Sequence, residues 1–158
     1  MEQEVFRTDG LCAQLYRCNT AIVGSGAAGY NAADCLWHAG QHDILLLTEN
    51  RLCGTSRNTG SDKQTYYKLT LSGGDGDSVR EMAQTLFNGQ CVDGDTALCE
   101  AALSAPCFLR LAELGVEFPR SRYGEYVGYK TDHDPRRRAT SAGPYTSKRM
   151  TQMLEAAV

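Results

Sequence analysis

No apolar run in these 158 residues approaches the roughly 20 needed to span a bilayer. The opening Met1-Glu2-Gln3-Glu4 is acidic and lacks the apolar core of a secretion signal. Both absences lead to the expectation of a cytoplasmic protein without a membrane partner. Basic residues are not in excess: 16 Lys and Arg stand against 19 Asp and Glu, a formal charge of -3, which gives no electrostatic reason to expect nucleic acid. None of the seven cysteines (Cys12, Cys18, Cys35, Cys53, Cys91, Cys99, Cys107) forms a C-x-x-C pair, and their number is odd. That argues against zinc or iron–sulfur ligation. Cys35, Cys99 and Cys107 sit among apolar helical neighbours and are expected to be small core hydrophobes in a reducing compartment. Cys53 is expected to pack likewise, although it lies beside a candidate ligand loop. Internal repeats and low-complexity tracts are lacking too. A 42% hydrophobic content at this length supports one domain core rather than two.

What is present is a continuous unit from residue 19 to residue 49. A short apolar run ends at Val23, the turn Gly24-Ser25-Gly26-Ala27-Ala28-Gly29 follows, then a helical stretch, then Ile44-Leu45-Leu46-Leu47-Thr48 and Glu49. This order is the signature of a dinucleotide-binding βαβ unit. Each glycine has its own expected role: Gly24 for the tight exit from the strand, Gly26 for approach of a pyrophosphate to the backbone, and Gly29 for close helix–sheet packing. The helix start would attract phosphate through its free N–H groups, since no Lys or Arg occurs between Arg17 and Arg51. Glu49, twenty residues beyond Gly29, is placed to accept hydrogen bonds from an adenosine ribose, with Asn50 beside it.

Along the rest of the chain, the first 18 residues show no clear period and read as a lead-in. A helix is expected from Ala27 to Ala39, with Ala28, Ala32, Leu36 and Ala39 on its stripe and Gly40 as its stop. Residues 50–77, with Leu71-Ser72-Gly73-Gly74-Asp75-Gly76-Asp77 at their end, read as a long functional loop. Further helices are expected from Ser78, with Asp77 as cap, to near Gly89; from Thr96, after Asp95, to about Leu103; and from Pro106 to Gly115. Val116 to Phe118 reads as a short strand, and Tyr123 to Pro144 as a surface loop or short hairpin. A final helix begins at Thr146 or Ser147 as cap. Its stripe of Met150, Met153, Leu154, Ala157 and Val158 leaves an apolar face uncovered, through which self-association is expected.

Other candidates carry less. Arg136-Arg137-Arg138, preceded by His133 and Asp134, could grip a dicarboxylate or phosphate, but such a run is more commonly a solvated loop. His38 and His133 are too isolated to act as metal ligands or bases. Tyr66, Tyr67, Tyr123, Tyr126 and Tyr129 are expected to pack loops, and neither Ser56 nor Ser141 sits in a nucleophile elbow.

Two further stretches, Cys53-Gly54-Thr55-Ser56-Arg57-Asn58-Thr59-Gly60 and Leu111-Ala112-Glu113-Leu114-Gly115-Val116-Glu117-Phe118-Pro119, complete a resemblance, with Thr146-Ser147-Lys148-Arg149-Met150 after them. Over almost its whole length the chain resembles the amino-terminal part of the fumarate reductase and succinate dehydrogenase flavoproteins, a family that includes L-aspartate oxidase. The resemblance implies a Rossmann-like α/β FAD-binding domain, incomplete, with a parallel sheet and flanking helices. It implies noncovalent FAD, because the loop has no histidine to carry the flavin. ADP would lie on Gly24, Ser25, Gly26, Ala27, Ala28, Gly29, Glu49 and Asn50, and Gly54, Thr55 and Ser56 would lie near the pyrophosphate and flavin. The paired glycines usual a few residues on appear here as Gly60-Ser61-Asp62. The family's capping domain and later FAD-binding segment are not within residues 1–158, so no catalytic residue is assigned. The expectation is therefore the FAD-binding portion of a soluble oxidoreductase that moves hydride between flavin and a small acid, inactive alone. The competing expectation is a truncated, noncatalytic nucleotide-binding module, and an NAD-dependent dehydrogenase is disfavoured by the long loop at Gly54.

Overall fold

The structure, a computed structural model, describes residues 1–158 apart from Asp75, in the glycine-rich loop, and Asp132, in the polar tract, which lie outside the described residues. The first departure from expectation comes at once. Strands β1 (Glu2–Thr8) and β2 (Leu11–Arg17) form an antiparallel hairpin in place of an irregular lead-in. Its register sets Phe6 opposite Ala13 on one face and Val5 opposite Gln14 on the other. Each face thus mixes apolar with polar or charged residues, and nearly all are exposed. With no buried side there is no inside–outside alternation to read.

Strand β3 (Thr20–Val23), helix α1 (Ala27–His38) and strand β4 (Ile44–Leu47) then form the expected parallel unit, Thr20 opposite Ile44 through Val23 opposite Leu47. The amide of Gly24 donates to the carbonyl of Leu47 at 2.7 Å and extends the ladder into the turn. Gly40, with φ +85°, follows the helix as expected. The buried face of α1 is not the alanine stripe, however. It consists of Tyr30, Ala33 and Asp34, while Ala28 and Ala39 are exposed. Asp34 can lie inside because Arg110 grips it twice, at 3.0 and 3.1 Å.

The stretch 50–77 is more ordered than a loop. It holds a single helical turn, α2 (Thr55–Asn58), and a short strand, β5 (Tyr66–Tyr67). Helix α3 (Val79–Asn88) is capped by Ser78, whose hydroxyl accepts from the Glu81 amide at 3.1 Å; Asp77, the expected cap, is used elsewhere. The two helices expected between Thr96 and Gly115 are one, α4 (Gly94–Glu113), capped by Asp93 rather than Asp95. Pro106 lies inside it, and the buried positions Ala97, Ala101, Ser104, Phe108 and Leu111 run unbroken across the proline. Tertiary burial of that stripe outweighs the roughly 3 kcal/mol by which an interior proline disfavours a helix.

Residues 116–118 form no strand, yet Val116 and Phe118 are buried. The expected surface loop contributes strand β6 (Ala139–Thr140), paired antiparallel with β5. Helix α5 (Thr146–Ala157) follows Tyr145 as N-cap, so Thr146 is its first residue rather than its cap. One core cluster joins Tyr30, Phe108, Leu111, Val116, Phe118, Ala142 and Leu154. The Phe108 ring meets Phe118 at 4.4 Å and Tyr126 edge-on at 4.9 Å; burying such a side chain stabilises by about 1.5–3 kcal/mol. The cysteines depart from expectation: Cys35, Cys53 and Cys99 are exposed and Cys107 is half-buried, and the three on helices lie beside the buried stripe rather than on it.

Candidate functional site

The carboxyl ends of β3 and β4 and the start of α1 converge at the glycine turn, where three glycines are needed for three different reasons. Gly24 has φ +105°, a backbone that side-chain-bearing residues rarely adopt. At Gly29 a Cβ would lie 2.0 Å from the Gly24 carbonyl oxygen, so the helix approaches the strand to a distance that only glycine permits. Gly26 is different again. Its backbone (φ -83°, ψ -178°) is open to any residue, and what restricts it is space: a Cβ would lie 3.3 Å from the Ser56 hydroxyl.

Among the described residues no side chain caps the start of α1, and no acid lies in its first turn. Its leading N–H groups therefore keep their full capacity for an anion. The space in front of Gly26, a cradle bordered by the Ser56 hydroxyl, is where an anion would meet these main-chain donors. Glu49 and Asn50 follow the end of β4 on the exposed surface. The Asn50 side chain is engaged in its own turn, its amide oxygen accepting from the Leu52 amide at 2.8 Å, so the Glu49 carboxylate is the freer of the two side chains for a sugar. Ser25 is buried and its hydroxyl shares a 2.9 Å hydrogen bond with Thr48, which ties the turn to the end of β4. Gly54, with φ +99°, precedes α2, and Thr55 is exposed. The structure thus brings the turn and Ser56 together and leaves Glu49, Asn50, Gly54 and Thr55 exposed around them.

Residues not anticipated tie the segment after Ser56 to α5. Gln64 reaches the start of α5: its side-chain oxygen accepts from the Ser147 amide at 3.0 Å and its nitrogen donates to the Ser147 hydroxyl at 2.9 Å. Gly60, where the doubled glycine was missing, packs under Tyr145, whose ring a Cβ would meet at 2.9 Å. Buried Arg57 donates to Glu155 on α5, and the hydrogen bond from Arg57 holds the Glu155 carboxyl below its usual range. An acid beside Leu154 on the apolar side of α5 was the one available hint of this pair.

Two arginines of the basic run are engaged by the protein and one is left to solvent. Arg138 is fully buried and donates to Asp77 at 2.7 and 2.9 Å, to Thr85 at 2.9 Å and to Asp134 at 3.2 Å. Arg136 pairs with Glu81 at 2.8 Å, while Arg137 is exposed. Burial pushes the Asp77 carboxyl upward, but the Arg138 guanidinium and the amides of Thr70 and Ser78 outweigh it and hold Asp77 down at about 2. Burial likewise raises the Tyr66 hydroxyl to about 12 and lowers the Lys68 ammonium, which sits over the Phe108 ring at 4.8 Å. Nearby, a cavity of about 1280 Å³ opens between α3 and α4, with Tyr67, Met82, Leu103, His133 and Asp134 in its wall; it shares no residue with the glycine turn.

The parallel unit and its glycine turn define a nucleotide-binding α/β fold. A protein-family model described as an FAD binding domain matches residues 19–156, and the chain belongs to that family. A comparison with curated proteins finds no significant match. Among solved structures, the fold is similar to a variant of E. coli quinol fumarate reductase FrdA (TM-score 0.73, 17% identity, 90% of this chain and 24% of that one). It is also similar to Mycobacterium smegmatis Sdh1 in complex with UQ1 (TM-score 0.72, 14% identity, 89% of this chain and 23% of that one). The chain therefore spans about a quarter of the length of these structures. The expected flavoprotein resemblance, the Rossmann-like fold and FAD as cofactor all stand. Among the described residues, no helix is long and apolar enough to cross a membrane.

Proposed function

We propose that residues 1–158 form the FAD-binding portion of a flavin-dependent oxidoreductase. The FAD diphosphate lies on the main chain of Gly24, Ser25, Gly26, Ala27, Ala28 and Gly29. Glu49 takes the ribose with Asn50 at its side, and Gly54, Thr55 and Ser56 border the diphosphate on its way to the flavin. FAD supplies hydride chemistry, here between the flavin and the carbon–carbon bond of a small acid. The groups that bind and protonate that acid are assigned to no residue of 1–158.

The observation that carries this reading is the helix start beside Gly26, uncapped and open to an anion where a parallel strand ends. A site that selects by fixed main-chain donors binds a diphosphate without a basic side chain. The test is a titration of FAD into the chain and its Gly26→Val variant. A branched side chain occupies the cradle, so affinity should fall at least about tenfold while the fold is kept, given that Gly26 has an ordinary backbone conformation. Equal affinity in a folded variant would overturn the site.

A further inference from the structure

A carboxylate on the last turn of α5 gathers three elements that border the cradle. Glu155 accepts from Arg57 of α2 and from the Tyr30 hydroxyl of α1 at 3.3 Å, and it forms an ion pair with the Arg51 Nε at 3.1 Å. Arg57 is only 7% exposed, and its Nε has no hydrogen-bond partner among the described residues. A buried guanidinium so sparsely satisfied depends on its one close carboxylate, and losing that partner would leave an uncompensated charge inside the protein.

The position of Arg57 gives this pair its significance. It follows Ser56, the residue whose hydroxyl borders the space in front of Gly26. Helix α2 is a single turn of four residues with no side-chain cap, too short to hold its own shape. Something outside it must fix where Ser56 stands. Packing of α5 on α1 and α2 brings Glu155 to that task, since the same carboxylate touches the first turns of α1 through Tyr30.

We propose that Glu155 is a positioning residue for the cofactor: by clamping Arg57 it fixes α2 so that Ser56 faces the diphosphate cradle at Gly26. The inference rests on the FAD reading above and adds a residue that touches no part of the nucleotide. Without the Glu155 charge, Arg57 turns outward to water, α2 follows it, and Ser56 leaves the cradle.

The experiment is an FAD titration, read by flavin fluorescence, on four full-length chains: wild type, Glu155→Gln, Ser56→Ala and the double variant, each checked for fold by far-ultraviolet circular dichroism. Glu155→Gln should weaken binding roughly tenfold, and in the Ser56→Ala background the added loss should shrink below about twofold, because the clamp acts through Ser56. A general loss of stability would subtract equally in both backgrounds, and that result overturns the proposal. So does a Glu155→Gln affinity within about twofold of wild type. Should Glu155→Gln fail to fold, Glu155→Asp, which keeps the charge but shortens the reach, is read in the same two backgrounds. Wild type without FAD affinity would overturn the cofactor reading and the clamp together; FAD binding that ignores Glu155 overturns the clamp alone.

Discussion

The glycine turn and the tract around Arg138 are both polar, and they use their polar groups in opposite ways. At residues 24–29 the chain leaves capacity open: the start of α1 has neither a side-chain cap nor an acid, and Glu49 stands exposed nearby. Around Arg138 the capacity is consumed internally, with Asp77, Thr85, Tyr67 and Asp134 all taking hydrogen bonds from one fully buried guanidinium. In a basic run that looks like a ligand site by composition, Arg138 is scaffold, because its charge is satisfied by Asp77 and Asp134. A turn with no charge at all is the better candidate for a ligand, because its donors are left open.

The contrast can be broken most forcefully at Gly29. Gly29→Ala places a methyl 2.0 Å from the Gly24 carbonyl oxygen, so helix and strand must separate. A loss of about 3 kcal/mol is expected in urea unfolding, at the upper end for overpacking. Arg138→Met attacks the other region by leaving Asp77 and Asp134 buried without their cation, and about 3 kcal/mol should be lost by the same measurement.

Acid gives a milder test of the same network. The Asp77 carboxyl lies below its ordinary value of 3.8, at about 2. A depressed folded-state value means that the contribution is fully present above the ordinary value and is lost as pH falls towards about 2. Roughly 2 kcal/mol should disappear over that window, and Asp77→Asn should flatten this part of the stability profile. The smallest effect is expected at the turn's rim, where Glu49→Gln keeps an acceptor for ribose but removes its charge. FAD affinity should drop only about threefold by calorimetry.

What could be read in advance follows the same division. The β3–α1–β4 unit depends on short-range sterics, and Gly24 and Gly29 announce their roles through spacing alone. Arg138 and Asp77 are 61 residues apart, so no local pattern reveals that one neutralises the other. Pro106 departs from expectation for a related reason: the local rule opens a new helix there, whereas the buried stripe from Ala97 to Leu111 runs through it as one helix. The β1–β2 hairpin was invisible because neither of its faces is buried, and periodicity records burial rather than pairing. Ser56 is singled out only by the family resemblance, and Glu155 lies 98 residues beyond Arg57 and joins it only through packing of α5.

That separation has a consequence for how the protein is made. A ribosome that has delivered the glycine turn and α2 must still add 98 residues before the carboxylate that anchors them emerges. At roughly 5–20 residues per second the delay is about 5–20 s. During it the nascent chain carries the glycine turn without the contact behind α2, so Arg57 acquires its buried carboxylate partner only after α5 has been made.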